Sequence, residues 1–187
     1  MYTFTAMSMN LTLTTVSDED IEAVAAEPAR LGILHYGELS DPDALEEDER
    51  EELLQWTPVS VKETFEVEGS FQALHYLLTG ETEWNTGSFP LNFLTGQRLA
   101  IGEIGWGKVN FYTAAEVKAI AAVLDEADLH KTVARYDPVF FNEKKIYPRG
   151  YTWVEADRGS LLDKLGSLRD FIHQTAADNK GLYRTVV

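Results

Sequence analysis

Cysteine is absent from the 187 residues. That excludes disulfides, thiolate metal sites and cysteine nucleophiles. No apolar run approaches the 18 or more residues of a membrane-spanning helix. Basic residues are few, 16 against 31 acidic ones, and the formal net charge is −15. The first base is Arg30, so no positively charged leader precedes an apolar stretch and a secretory signal is not expected. An acidic chain repels phosphate backbones, which disfavours nucleic-acid binding. Together these shortages point to a cytoplasmic protein with no nucleic acid and no membrane among its partners.

What is present suffices for a globular core. Hydrophobic residues make up 44% of the chain, and a chain of this length buries about two-thirds or more of its unfolded surface as one domain. No repeat, low-complexity tract or linker divides it. Residues 1–6 read as an extension and residues 7–187 as a single domain.

The chain is organised around Phe71–Gly80. On a helix, Phe71, Leu74 and Leu78 share one face, Ala73 and Leu77 a second, and Tyr76 fills much of the rest. A helix apolar nearly all round belongs inside a domain, and Gly80 can take the left-handed C-terminal cap. Gln72, His75 and Thr79 interrupt it as a narrow polar line. Buried polar groups need partners, so these three either bond to a neighbouring loop or line a pocket. His75 is the best candidate acid or base, because imidazole titrates near neutrality. Trp106 and Tyr147 complete the candidate pocket, which lies between this helix and the glycine-rich span 80–107.

Leu74-His75-Tyr76-Leu77-Leu78-Thr79-Gly80 resembles the signature of the YfbM-like family of bacterial proteins of unknown function (DUF1877). Met7-Ser8-Met9-Asn10-Leu11 and Lys145-Ile146-Tyr147-Pro148 fit the same family. The family commonly reads Asp-Lys-x-Trp ahead of the helix, where this chain has Glu68, Gly69 and Phe71. The resemblance implies no particular reaction.

Charge is unevenly distributed. Residues 38–68 hold twelve acids against Arg50 and Lys62, a local balance of −10, and the remainder of the chain carries −5. Such a run is either a solvated face or a surface for a basic protein partner, with Asp43, Glu46, Glu47 and Glu49 as its candidate contacts. Asp41 and Asp43 do not open a calcium loop, since Leu45 and Glu46 occupy the positions that need an oxygen ligand and a glycine.

Along the chain, Met9–Thr14 alternates as a strand, and Ser17 caps a helix carrying Ile21 and Val24. Ser40–Trp56 reads as one acidic helix with Pro42 early in it. Val59–Glu68 alternates as an edge strand. Gly102-Glu103-Ile104-Gly105-Trp106-Gly107-Lys108 imitates the first part of a phosphate-binding loop. Val109 then stands where serine or threonine is needed, and a strand follows instead of a helix. The glycines there serve tight turns and close approach to the central helix.

Thr113–Glu116 is a capping box ahead of an amphipathic helix. Shorter helices start at Asp128 and Asp137, a long one spans Ser160–Ala177, and Leu182–Val187 closes the chain as a strand. The four histidines show no metal spacing, no Gly-x-Ser-x-Gly elbow occurs, and neither a metal nor a cofactor is called for.

The fold class expected is α+β, a small mixed sheet covered by about six helices. The function expected is that of a non-catalytic acidic binding protein for a basic partner. The alternative is a small-molecule-binding protein or enzyme with its pocket at His75. Monomer and homodimer are both compatible with the sequence.

Overall fold

The computed structural model describes residues 9–187, so the extension expected at residues 1–6 lies outside them. Five strands form one sheet: β1 (Leu11–Val16), β2 (Thr64–Glu68), β3 (Leu99–Ile104), β4 (Gly107–Tyr112) and β5 (Gly181–Val186). Their order is β2-β1-β5-β4-β3. The α+β class is found as expected. All four ladders are antiparallel rather than mixed, and the sole parallel pairing among the described residues is the single bridge Gly105–Val186.

Helices cover both faces. On one side lie α1 (Asp18–Ala26) and α2 (Arg30–Tyr36). Ile21, Val24, Leu31 and Leu34 pack there against Val109, Phe111 and Tyr183. The opposite face carries Leu11, Leu13, Tyr112 and Leu182. It is covered by α4 (Phe71–Thr79), α5 (Ala114–Glu126), α6 (Leu129–Val133), α7 (Pro138–Glu143) and α8 (Asp157–Ala177). Adjacent strand residues point to opposite faces, which is why Phe111 and Tyr112, or Leu182 and Tyr183, serve different cores.

Local chemistry sets the helix ends. The Ser17 hydroxyl accepts from Asp20 N at 3.0 Å, and Thr113 and Glu116 exchange the two bonds of a capping box. Gly80 takes φ +81° and its N–H returns to Tyr76 O at 2.7 Å. In α8, Leu161, Leu165, Leu168 and Ile172 recur at helical spacing and are buried. A leucine so placed contributes about 1.5–3 kcal/mol by burial.

The acidic helix is shorter than the pattern suggests. Pro42–Ala44 is a single 3-10 turn, Leu45 is extended, and α3 spans Glu47–Gln55 with Glu46 as its N-cap. Glu46 and Glu49 close a capping box, a signal that the proline start at residue 42 obscured. Of the alternating stretch 59–68, only β2 pairs as a strand. Its first half is diverted onto α1, where the buried Asp20 carboxylate accepts Val59 N at 3.1 Å and Ser60 N at 2.9 Å. β3 was not foreseen; it pairs with β4 across the Gly105–Trp106 turn.

Candidate functional site

Two stretches distant in the sequence converge on Tyr147. Its backbone N–H donates to Gln72 Oε1 at 2.7 Å, and its hydroxyl accepts from Met9 N. Its ring lies 5.1 Å from that of Phe71. Gln72 is used at both ends, because its Nε2 also donates to Thr82 O at 2.8 Å. The central helix is thereby tied at one residue to the glycine-rich span and to the Ile146–Pro148 stretch.

His75 has 0% exposure. Its Nδ1 lies 3.1 Å from Thr95 Oγ1. Burial holds the imidazole below its usual pKa; the Glu83 backbone carbonyl opposes the shift and the Arg184 guanidinium adds to it. Arg184 is itself buried and donates to Phe93 O at 2.9 Å. Thr79 Oγ1 donates to His75 O at 2.7 Å and accepts from Glu81 N at 3.0 Å. The polar line on α4 thus meets the loop 82–95, and Gly87 brings that loop to within contact distance of the Thr79 methyl.

Trp106 is not brought to this group. It is 60% exposed at the turn between β3 and β4. Thr95 precedes the opposite end of that hairpin, roughly 15–20 Å away along the strands. Of the remaining histidines, His35 Nδ1 lies 3.2 Å from the Tyr183 hydroxyl and His173 Nε2 lies 3.0 Å from Asp125 Oδ1. Among the described residues no cluster of three or more potential ligands could hold a metal ion.

The acidic stretch lies on the other side of the sheet. Leu53 of α3 packs with Ile33 and Leu39, and Leu45 and Trp56 lean on the same small cluster. From Glu38 to Glu52 there are nine carboxylates, and none forms an ion pair among the described residues. Asp43 and Glu47 have no helix-capping duty, whereas Glu46 and Glu49 hold the start of α3. Tyr36, Leu54, Val59 and Val61 stand exposed on the elements around it.

Two cavities flank the turn Pro148–Tyr151, which is closed by Tyr151 N–H donating to Pro148 O at 3.1 Å. One, of about 300 Å³, is bounded by Glu68, Trp153, Asp157, Leu161 and Lys164. The other, of about 870 Å³, is bounded by Phe141, Ile146, Lys145, Arg149, Tyr151 and Thr152 among others. Pro148 and Tyr151 belong to both.

A non-glycine residue sits at positive φ on each cavity: Glu68 at +54° and Lys145 at +53°. Such a conformation costs roughly 1–2 kcal/mol. Glu68 forms an ion pair with Lys164 at 2.9 Å. No sequence signal marked either residue, since glutamate and lysine do not announce left-handed backbone.

The family model of a domain of unknown function, DUF1877, matches residues 7–184. The chain belongs to the DUF1877 family. The crystal structure of YfbM from Escherichia coli, a protein of unknown function, superimposes with a TM-score of 0.63 at 15% identity. The match covers 95% of this chain and 99% of that one. At that identity the likeness is one of fold, and family membership names no reaction. No curated protein matches the chain. Among the described residues of this DUF1877 protein, no helix is long and apolar enough to cross a membrane.

Proposed function

We propose that this DUF1877 protein is a non-catalytic binding protein of the bacterial cytoplasm that takes a basic protein partner on the face around α3. The observation that carries the reading is the set of nine carboxylates from Glu38 to Glu52 left without ion-pair partners among the described residues. Some acids on other parts of the chain, such as Glu116, Glu155 and Asp178, are paired with bases. An unneutralised field attracts and steers a partner of opposite sign. Exposed Tyr36, Leu54, Val59 and Val61 supply apolar area of the kind that interface centres use.

The test is capture from a bacterial lysate at low and high salt by the parent and by a variant combining Asp43→Asn, Glu47→Gln, Glu51→Gln and Glu52→Gln. These substitutions spare the capping pair Glu46 and Glu49. Expected is a captured protein of basic isoelectric point that high salt releases and the variant fails to hold. Capture that is absent, or indifferent to both salt and substitution, overturns the reading.

A further inference from the structure

We propose that the cavity bounded by Lys145 and Arg149 is a binding site for a small organic anion with a planar, apolar body. Nothing in this proposal depends on the α3 face.

Helix α7 ends with Ile146 N–H donating to Phe141 O at 3.0 Å, the closure that ordinarily places glycine in the left-handed position before it. Lysine occupies that position here, at φ +53°. A strained conformation retained by a residue with no backbone need for its side chain directs attention to what the side chain does. Lys145 is exposed and is one of the residues that bound the larger cavity.

Lys145 and Arg149 form no ion pair among the described residues, although the protein has almost two acids for every base. Two unneutralised cations therefore border one cavity. The acidic α3 does not cancel them, because it rides on α2 while α7 lies across the sheet. Packed layers stand about 10 Å apart, and charges separated beyond about 8 Å are largely screened at physiological salt.

Half-exposed Tyr151 bounds the cavity, with Phe141 and Ile146 buried behind it. Tyr151 is held by its hydroxyl donating to Asp157 Oδ1 at 2.7 Å and by packing 5.0 Å from Trp153. The fixed Tyr151 ring suits a flat hydrocarbon body, while the cations suit a carboxylate, phosphate or sulfonate.

The probe is 8-anilinonaphthalene-1-sulfonate, followed by fluorescence titration, with uncharged N-phenyl-1-naphthylamine as its control. Expected is one saturable site for the sulfonate, with affinity weakened about tenfold by Lys145→Gly and again by Arg149→Gln, and weaker binding of the uncharged control. Lys145→Gly relieves the left-handed lysine, so it melts at or up to about 4 °C above the parent, and Arg149→Gln melts with it. Opposite movement of affinity and stability separates ligand binding from a structural role. No saturable site, a site that both variants retain, equal binding of the uncharged control, or a Lys145→Gly variant that melts well below the parent would each overturn the proposal. The Asp43, Glu47, Glu51 and Glu52 variant retains the dye site, so failure here and failure of the α3 reading are told apart.

Discussion

Replacing His75 with alanine separates a ligand-binding histidine from one that serves the core. The ring is fully buried against Thr95, whose hydroxyl is buried as well. Removing it leaves that hydroxyl short of a partner, at about 1–3 kcal/mol. If roughly 60 Å³ stays empty, the void adds about 1.5 kcal/mol. A total near 3–4 kcal/mol lowers the melting temperature of a chain this size by roughly 6–16 °C.

The pH dependence is a second signature. Burial holds the His75 pKa below its unfolded value, so the unfolded chain binds the proton first. Stability from the neutral ring is fully present above about pH 6.5 and is lost as pH falls below it, by up to about 1.4 kcal/mol per pH unit until the folded pKa is reached. Melts followed by circular dichroism at pH 8, 7, 6 and 5 read both effects. The parent should lose stability below pH 6.5 more steeply than His75→Ala. A variant that melts within about 2 °C of the parent, or that keeps the parent's pH slope, refutes the reasoning.

Two further substitutions probe packing, one on each side of the sheet. Gln72→Ala removes both bonds that join α4 to Thr82 and Tyr147; expected is a loss of about 2 kcal/mol in denaturant melts, with faster amide exchange at Tyr147. Gly32→Ala sets a methyl 2.5 Å from Ser40 N and 2.7 Å from Glu38 O. Since backbone must then shift, it should cost about 1–3 kcal/mol and loosen residues 38–40, which chemical denaturation and amide exchange would register.

Signals confined to one turn of chain were legible in the sequence. The central helix and its Gly80 cap, the Ser17 cap and the Thr113–Glu116 box all depend on residues within four positions of each other, and the structure has them. Features set by distant partners were not. Asp20 draws Val59 and Ser60 away from the sheet across about forty positions of sequence, so an unbroken alternation became a strand of half the length. The acidic helix began late because Glu46 and Glu49 outcompete Pro42 as a start.

Of the candidate pocket, Gln72 and Tyr147 do meet, and His75 and Thr79 share the same helix, but Trp106 stands apart. The cavity beside Lys145 was invisible, because its walls come from a turn and from a lysine whose left-handed backbone no composition reveals.

The central strand of the sheet, β5, and its neighbour β1 are made at widely different times. β1 lies between β2 and β5, and it pairs with β5 along its whole length. At roughly 5–20 residues per second, a ribosome takes on the order of ten seconds or more to pass from Val16 to Gly181. Until then Leu11 and Leu13 have no neighbour on that side, and the nascent molecule carries an unclosed seam that a holding chaperone would recognise.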